Sequence, residues 1–206
     1  MSSIKLNSVI NPKLNEIVRR TVKIAEIIKS QSQTNVLTVA IFDIVDSTSG
    51  KINEGHDHIT KKVIVFNEIC NVIIKKYQGE IIKYMGDGCL AKFRDPLSAC
   101  IAAINIRYFS STYEIDSKAI LTLGMVEEIK ISDRQDVLGS SVDRCFRIEK
   151  ITQPNKTIID EALYKITLTF LRKFHEIDVS DSITVDLKGF GEESVHEINF
   201  LEKQLD

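Results

Sequence analysis

Apolar residues along the first half of the chain follow two spacings, one typical of buried strands and one typical of amphipathic helices. The run at 39–45 is apolar except for Asp43, which predicts a buried strand that carries one carboxylate. Apolar residues recur at helical spacing across 59–74, which predicts a helix with one core-facing side. The segment 79–93 contains the sequence Gly-Asp-Gly, a strong hairpin signal, because glycine supplies the positive backbone angles that a two-residue turn demands.

The second half of the chain continues the series of predicted strands and helices. Asp95-Pro96 predicts the start of a third helix, with Tyr108 among its inward-facing residues. The order strand, helix, strand, strand, helix, strand is the split βαβ arrangement, so an α+β fold is predicted, with helices covering one face of an antiparallel sheet. The remaining predicted elements are strands at 119–126, 127–138, 157–159, 173–179, 183–188 and 195–200, and a fourth helix at 141–151.

An amphipathic helix is predicted ahead of this sheet. Asn11-Pro12 is a favourable helix start, and a stripe of apolar residues follows it at helical spacing. The stretch 30–35 is the predicted linker. We therefore divide the chain into an N-terminal helical segment, residues 1–34, and a main domain, residues 35–206.

Composition narrows the classes of protein and partner. The net charge is −2, so neither nucleic acid nor an anionic membrane surface is a predicted partner. No apolar run approaches the ~20 residues that span a bilayer, and the first residues lack a signal-peptide pattern. The four cysteines are scattered without Cys-x-x-Cys spacing, which is typical of reduced thiols in a cytoplasmic protein.

Two carboxylates stand out as candidate metal ligands. Asp43 and Asp87 each lie at the edge of a predicted strand, and a hairpin beside the first strand would bring them together. Carboxylate, water and phosphate oxygens form the octahedral shell that Mg²⁺ or Mn²⁺ prefers, and two such ions support in-line displacement at phosphorus. Ser47 and Thr48 lie in a loop whose backbone amides would cradle phosphate. The alternative is structural: Asp87 stabilises a turn and Asp43 bonds its local backbone.

Four motifs resemble those of the class III adenylate and guanylate cyclases, in the family's order and close to its spacing. They are Phe42-Asp43-Ile44-Val45-Asp46-Ser47-Thr48, Lys83-Tyr84-Met85-Gly86-Asp87, the stretch from Asp136 to Arg147, and Leu187-Lys188-Gly189. The resemblance covers residues 35–200. It implies a ferredoxin-like catalytic domain at 35–206, working as a head-to-tail homodimer. It also implies that a nucleoside triphosphate's 3′-hydroxyl attacks its own α-phosphorus and expels pyrophosphate.

The resemblance also implies a role for each matching residue. Asp43 and Asp87 would hold two metal ions, Mg²⁺ or Mn²⁺, assisted by the backbone carbonyl of Ile44, while Lys188 would bind the triphosphate tail. The remaining assignments are Lys83 and Asp136 as base-binding residues and Arg147 and Asp143 as catalytic residues. Metal ligands come from one protomer and the base and arginine positions from the other, so a homodimer would carry two composite sites.

Four positions depart from the family pattern, among them Asp46, where glycine is frequent, and Phe190, where some members have a second lysine. Asp143 stands where an asparagine usually orients the ribose, and a carboxylate there would pair with Arg147, four residues along the helix. Thr122 takes the place of a phosphate-binding arginine. These departures leave the metal carboxylates intact and indicate a divergent branch.

The identity of the base stays open among three candidates. A lysine donor and an aspartate acceptor suit adenine, cytosine or uracil. Small standalone members of this kind are similar to the bacterial anti-phage pyrimidine cyclases, so the sequence favours UTP or CTP as substrate and cyclic UMP or CMP as product. The alternatives are an adenylate cyclase that makes cyclic AMP and, from another class, a degenerate non-catalytic module that binds nucleotide.

Overall fold

A computed structural model describes residues 16, 19–23, 32–45, 56–131 and 134–201. Within these ranges the chain forms one mixed sheet with helices packed on it, which confirms the predicted α+β class. The strands are β1 (Ser32–Ile44), β2 (Glu80–Tyr84), β3 (Gly88–Phe93), β4 (Ser117–Ile131), β5 (Arg134–Leu138), β6 (Thr157–Asp160), β7 (Ile177–Val179), β8 (Ile183–Leu187) and β9 (Gly191–Phe200). The helices are α1 (His56–Lys76), α2 (Pro96–Thr112), α3 (Ser140–Ile151) and α4 (Glu161–Leu171).

The sheet is mostly antiparallel, and β1 lies near its centre. Strand order is β2-β3-β1-β4-β6-β9-β7, with β5 paired to β4 and β8 paired to β9. The β1–β4 ladder runs from Ser32, opposite Ile129, to Ile44, opposite Ser117. The β4–β6 pair is parallel, whereas the other ladders are antiparallel. Strand β1 therefore has the β2–β3 hairpin on one side and β4 on the other.

The two faces of β1 belong to two separate cores. Ala40 and Phe42 are fully buried against α1 and α2, whereas Val39 and Ile41 are fully buried on the opposite face. Cys145 of α3 packs on that opposite face, with its Sγ 3.4 Å from the carbonyl oxygen of Ile120. The prediction that all helices pack on one face is therefore wrong for α3. The apolar residues of β1 point to both faces of the sheet, so both faces must be buried.

Helix α4 was missed by the sequence analysis. Its N-cap is Asp160, whose side chain accepts a hydrogen bond from the Leu163 N–H. Leu163, Thr167 and Leu171 recur every four residues and are buried. The strand predicted at 173–179 is correspondingly too long, since β7 covers only its last three residues.

Three boundaries also differ from the sequence-based expectation. β1 begins at Ser32, so most of the predicted linker at 30–35 is strand, paired with β4. β4 continues to Ile131, and its hairpin partner β5 is correspondingly shorter than the predicted strand. Tyr108 is 52% exposed rather than inward-facing, and it packs edge-on against Phe200.

The N-terminal segment is described only in part. Glu16 and residues 19–23 are helical, while most of the predicted apolar stripe, and the predicted helix start, lie outside the described residues. In the described part of the chain no helix is both long and apolar enough to cross a bilayer. All four cysteines are buried and free of disulfide bonds.

Candidate functional site

Asp43 lies near the C-terminal end of β1, in the centre of the sheet. It is opposite Gly88 of β3 on one side and opposite Lys118 of β4 on the other. Its side chain is 24% exposed, although its neighbour Phe42 is fully buried. The apolar run therefore anchors β1, and Asp43 is held at the point where the buried strand reaches the surface.

Asp87 is carried by the turn that connects β2 and β3. Gly86 has a φ of +91°, and the Met85 N–H donates to the Gly88 carbonyl oxygen at 2.8 Å, which closes a two-residue loop. Gly88 approaches β1 so closely that a Cβ there would overlap the Phe42 carbonyl oxygen and lie 2.8 Å from Asp43 Oδ1. The glycines thus let the turn bring Asp87 next to Asp43.

The electrostatics of Asp43 reflect this convergence. Burial and the neighbouring Asp87 carboxylate raise the pKa of Asp43 to about 6, although Lys118 acts in the opposite direction. Lys118 Nζ lies 3.8 Å from Asp43 Oδ2 and 2.6 Å from Glu149 Oε1. Two like charges are therefore held close together in a partly buried position.

The residues present fit a divalent cation. Mutual repulsion between the carboxylates of Asp43 and Asp87 is the condition that a bound cation relieves, and their oxygens are the donors that Mg²⁺ and Mn²⁺ prefer. The third predicted ligand, the main-chain carbonyl of Ile44, belongs to the next residue of β1. Among the described residues no group of three or more His, Cys, Asp or Glu side chains forms a metal cluster.

Lys83 and Asp136 are brought together from distant parts of the chain. Lys83 Nζ donates to both carboxylate oxygens of Asp136 at 2.9 Å, across a contact between β2 and β5. Burial acts to raise the pKa of Asp136, but the hydrogen bonds from Lys83 and from the Val137 N–H outweigh it and lower that pKa. The structure therefore places the two predicted base-binding residues in one ion pair.

Helix α3 presents Asp143 and Arg147 outward, but it does not pair them. Asp143 is exposed and Arg147 is partly exposed. Among the described residues, no ion pair joins the two side chains, so the expected neutralisation of Arg147 by Asp143 is wrong. Arg144 is the paired arginine of this helix, with its guanidinium 3.1 Å from the buried Asp160 carboxylate.

Lys188 lies in the turn between β8 and β9. It is exposed, and the next residue, Gly189, has a φ of +87°. The Phe190 N–H donates to the Leu187 carbonyl oxygen at 2.8 Å, and the Phe190 ring lies under the guanidinium of Arg144. This turn is therefore fixed to α3, the helix that carries Arg147. The predicted phosphate-binding residues Ser47 and Thr48 lie outside the described residues.

Sequence reasoning missed two polar contacts near the site. Lys118 and Glu149 were not singled out, because a lysine on a strand and a glutamate near a helix end are common solvent-exposed features. Their pairing with each other and with Asp43 depends on how α3 packs on β4. Thr122, at the position of the absent arginine, is buried and donates its hydroxyl proton to the Ser141 carbonyl oxygen at 2.8 Å.

Comparisons with known proteins identify the architecture. No family model matches the sequence, and no curated protein matches it. The structure is similar to that of the adenylyl cyclase CyaB from P. aeruginosa, with a TM-score of 0.74 and 18% identity over 85% of this chain and 100% of that chain. The guanylate cyclase domain of RhGC from Catenaria anguillulae, in complex with GTP, has a TM-score of 0.68 and 15% identity over 82% of this chain and 97% of that chain. For the guanylyl cyclase Cya2 the TM-score is 0.66 and the identity 19%, over 85% and 98% of the two chains. The chain therefore has the fold of the catalytic domains of adenylyl and guanylyl cyclases.

Proposed function

We propose that this protein is a nucleotide cyclase, which converts a nucleoside triphosphate into a 3′,5′-cyclic nucleotide and pyrophosphate. The observation that carries the proposal is the placement of Asp43 and Asp87 side by side at the end of the central strand, on a cyclase fold. A purely structural role would not require two carboxylates to repel each other in a partly buried position.

The proposed reaction is an intramolecular displacement at the α-phosphorus. The 3′-oxygen forms a bond to this phosphorus as its proton passes to solvent water, and the bond from this phosphorus to the bridging β-phosphate oxygen breaks to release pyrophosphate. Asp43, Asp87 and the carbonyl oxygen of Ile44 would hold Mg²⁺ or Mn²⁺ beside the phosphates. When bound, such ions lower the pKa of the attacking hydroxyl and neutralise charge on the leaving group.

The remaining residues would orient the nucleotide and stabilise charge. Lys83 and Asp136 would bind the base edge, each with one hydrogen bond. Arg147 would donate its planar guanidinium to the transferring phosphate, where negative charge accumulates. Lys188 would bind the triphosphate tail from its exposed turn. Asp143 would accept a hydrogen bond from the ribose, since an ionised carboxylate cannot donate one.

A homodimer with two composite sites is part of this proposal. Metal-binding residues would come from one protomer and Lys83, Asp136 and Arg147 from its partner. The exposed face of α3 supports this arrangement, because Asp143 and Arg147 point outward without an ion pair to each other. Sedimentation of the intact chain tests it, with a dimer expected and a monomer of full activity contradicting it.

UTP or CTP is the favoured substrate, in a signalling role that includes anti-phage defence, with ATP as the alternative. Lys83 offers donors and Asp136 acceptors, so the pair can satisfy uracil, cytosine or adenine. The absence of the arginine at Thr122 and the acid at Asp143 support a divergent branch.

One experiment tests activity and base together. The protein is incubated with Mn²⁺ and each of the four ribonucleoside triphosphates, and the products are separated by chromatography. A single cyclic pyrimidine nucleotide with matching pyrophosphate is the expected result. Cyclic AMP would support the adenylate alternative, and the absence of any cyclic product at high protein concentration would contradict the proposed function. Nucleotide binding without turnover would instead support the non-catalytic module.

A further inference from the structure

We infer that Glu149 is a positioning residue which, by holding Lys118, keeps the Asp43 carboxylate available to a divalent cation. The inference rests on the proposed function, because it takes Asp43 as a metal ligand. Glu149 lies near the C-terminal end of α3, and Lys118 lies near the start of β4, directly opposite Asp43.

Three distances define the arrangement around the Lys118 ammonium. Its Nζ lies 2.6 Å from Glu149 Oε1 and donates to the main-chain carbonyl oxygen of the same residue at 3.1 Å. The distance from Nζ to Asp43 Oδ2 is 3.8 Å, which is longer than a hydrogen bond. The lysine is thus bound twice by Glu149, and it remains close to Asp43 without bonding it.

The position of Glu149 on α3 strengthens its interaction with the Lys118 ammonium group. The Glu149 carbonyl lies in the last turn of the helix, where carbonyl oxygens attract cations, and it also accepts a hydrogen bond from the Thr152 N–H at 3.2 Å. The side chain of Lys118 is 13% exposed and that of Glu149 is 20% exposed, so water competes weakly for either charge. Two acceptors from one residue therefore fix the ammonium group on the helix side of the site.

Without Glu149, the same ammonium group would have one nearby acid left. Asp43 is within reach of a small rotation of the lysine side chain, and a cation paired with Asp43 competes directly with Mg²⁺ or Mn²⁺ for its oxygens. Partners that orient a metal ligand commonly change metal affinity 10- to 100-fold when they are removed. Glu149 is therefore expected to act on metal binding through Lys118, without touching the ion.

A double-mutant cycle on Mn²⁺ binding tests this role. Free Mn²⁺ is measured by electron paramagnetic resonance during titration of four proteins: the unsubstituted chain, Glu149→Gln, Lys118→Met and the double variant. Glu149→Gln is expected to weaken Mn²⁺ binding about 10-fold when Lys118 is present, and less than about 3-fold when Lys118 is replaced. Lys118→Met alone is expected to bind Mn²⁺ at least as tightly as the unsubstituted chain.

The matched control is Glu197→Gln. Glu197 of β9 forms a comparable ion pair at 2.9 Å with Lys156, the residue before β6, and neither β6 nor β9 carries Asp43 or Asp87. The Glu197→Gln substitution is expected to leave Mn²⁺ binding unchanged. Melting temperatures of all variants identify any loss of folding, and if Glu149→Gln fails to fold, the Lys118→Met result decides: weaker Mn²⁺ binding in that variant overturns the inference.

The outcomes separate this inference from the proposed function. If Glu149→Gln weakens binding by the same factor with and without Lys118, Glu149 acts only as a nearby negative charge and the positioning role is overturned. If the unsubstituted chain binds no Mn²⁺, the metal site itself is overturned, and the positioning role with it. A large effect that disappears with Lys118 supports the inference.

Discussion

Two charged pairs in this region differ in their electrostatics: Asp43 with Asp87 of the β2–β3 turn, and Lys83 of β2 with Asp136 of β5. Asp43 and Asp87 are like charges in a partly buried position, and the pKa of Asp43 is raised to about 6 by burial and by its neighbour. Lys83 and Asp136 are opposite charges in contact, with side chains 42% and 35% exposed, and the pKa of Asp136 is lowered by its partners despite burial.

The difference indicates which pair needs a ligand. The two aspartates lose repulsion when a cation joins them, so binding is favoured by the pair itself. The lysine and the aspartate already satisfy each other, so a base must replace one ion pair with two hydrogen bonds. We therefore expect substitution of Asp43 or Asp87 to weaken metal binding strongly. Substitution of Lys83 or Asp136 should change the preference among bases more than the affinity for the nucleotide.

The largest expected effect is that of Asp87→Ala on product formation. Loss of a metal carboxylate is expected to lower the rate of pyrophosphate release about 1000-fold or more, equivalent to ~4 kcal/mol of transition-state stabilisation. The melting temperature should not fall, because the substitution also removes repulsion with Asp43. A coupled assay measures the rate of pyrophosphate release, and thermal unfolding measures the melting temperature. Asp181→Ala, at an exposed loop position, serves as control, and equal activity of both variants would contradict the metal role.

Next in size is the effect of Gly88→Ala compared with Gly86→Ala. A Cβ at position 88 would overlap the Phe42 carbonyl oxygen, so the free energy of unfolding should fall by about 2–3 kcal/mol and Mn²⁺ binding should weaken. At position 86 a Cβ meets no atom within 4 Å, and only the positive φ is strained, at about 1 kcal/mol. Urea denaturation measures the free energy of unfolding of both variants. Equal losses would show that the close approach of β3 to Asp43 does not matter.

A smaller effect is expected for Lys83→Met. Its kcat/KM for the preferred triphosphate should fall about 10-fold, and the preference among the four bases should shrink, because one hydrogen-bonding group for the base is lost. Stability should change by less than about 1 kcal/mol, since the ion pair with Asp136 is largely exposed. Lys75→Met, in the last turn of α1, is the control. An unchanged ranking of the four substrates would exclude Lys83 from base recognition.

The smallest expected effect concerns pH. Because the pKa of Asp136 is lowered in the folded protein, its ion pair stabilises the fold fully above the ordinary carboxyl pKa. That contribution is lost as the pH falls through the lowered value, and it amounts to less than about 1 kcal/mol after solvent screening. Thermal unfolding between pH 7 and pH 3 should show a shallower dependence in Lys83→Met than in the unsubstituted chain. Identical pH dependence would contradict this contribution.

Local sequence signals were sufficient to predict the strand and the turn that carry the two aspartates of the proposed metal site. The apolar run around Asp43 predicted a buried strand, and the Gly-Asp-Gly turn predicted a hairpin that carries Asp87, because both depend on residues adjacent in the chain. The cap at Asp95 likewise predicted α2. Helix α4 was missed because its residues include Ile, Thr, Tyr and Phe, which favour strands, while its helical conformation is stabilised by tertiary burial of Leu163 and Leu171.

Sequence alone determined that this protein has an α+β fold and two aspartates at strand edges, since alternation, helical spacing and turn glycines are local properties of the chain. Only the tertiary structure decided which charges meet. Arg144 rather than Arg147 is paired, Lys118 is held by Glu149, and Lys83 contacts Asp136, 53 residues away. These choices depend on the register of β1 with β4 and on the packing of α3 on the second face of the sheet. A cation pairs with the acid that folding places within a few ångströms, whatever their separation in sequence.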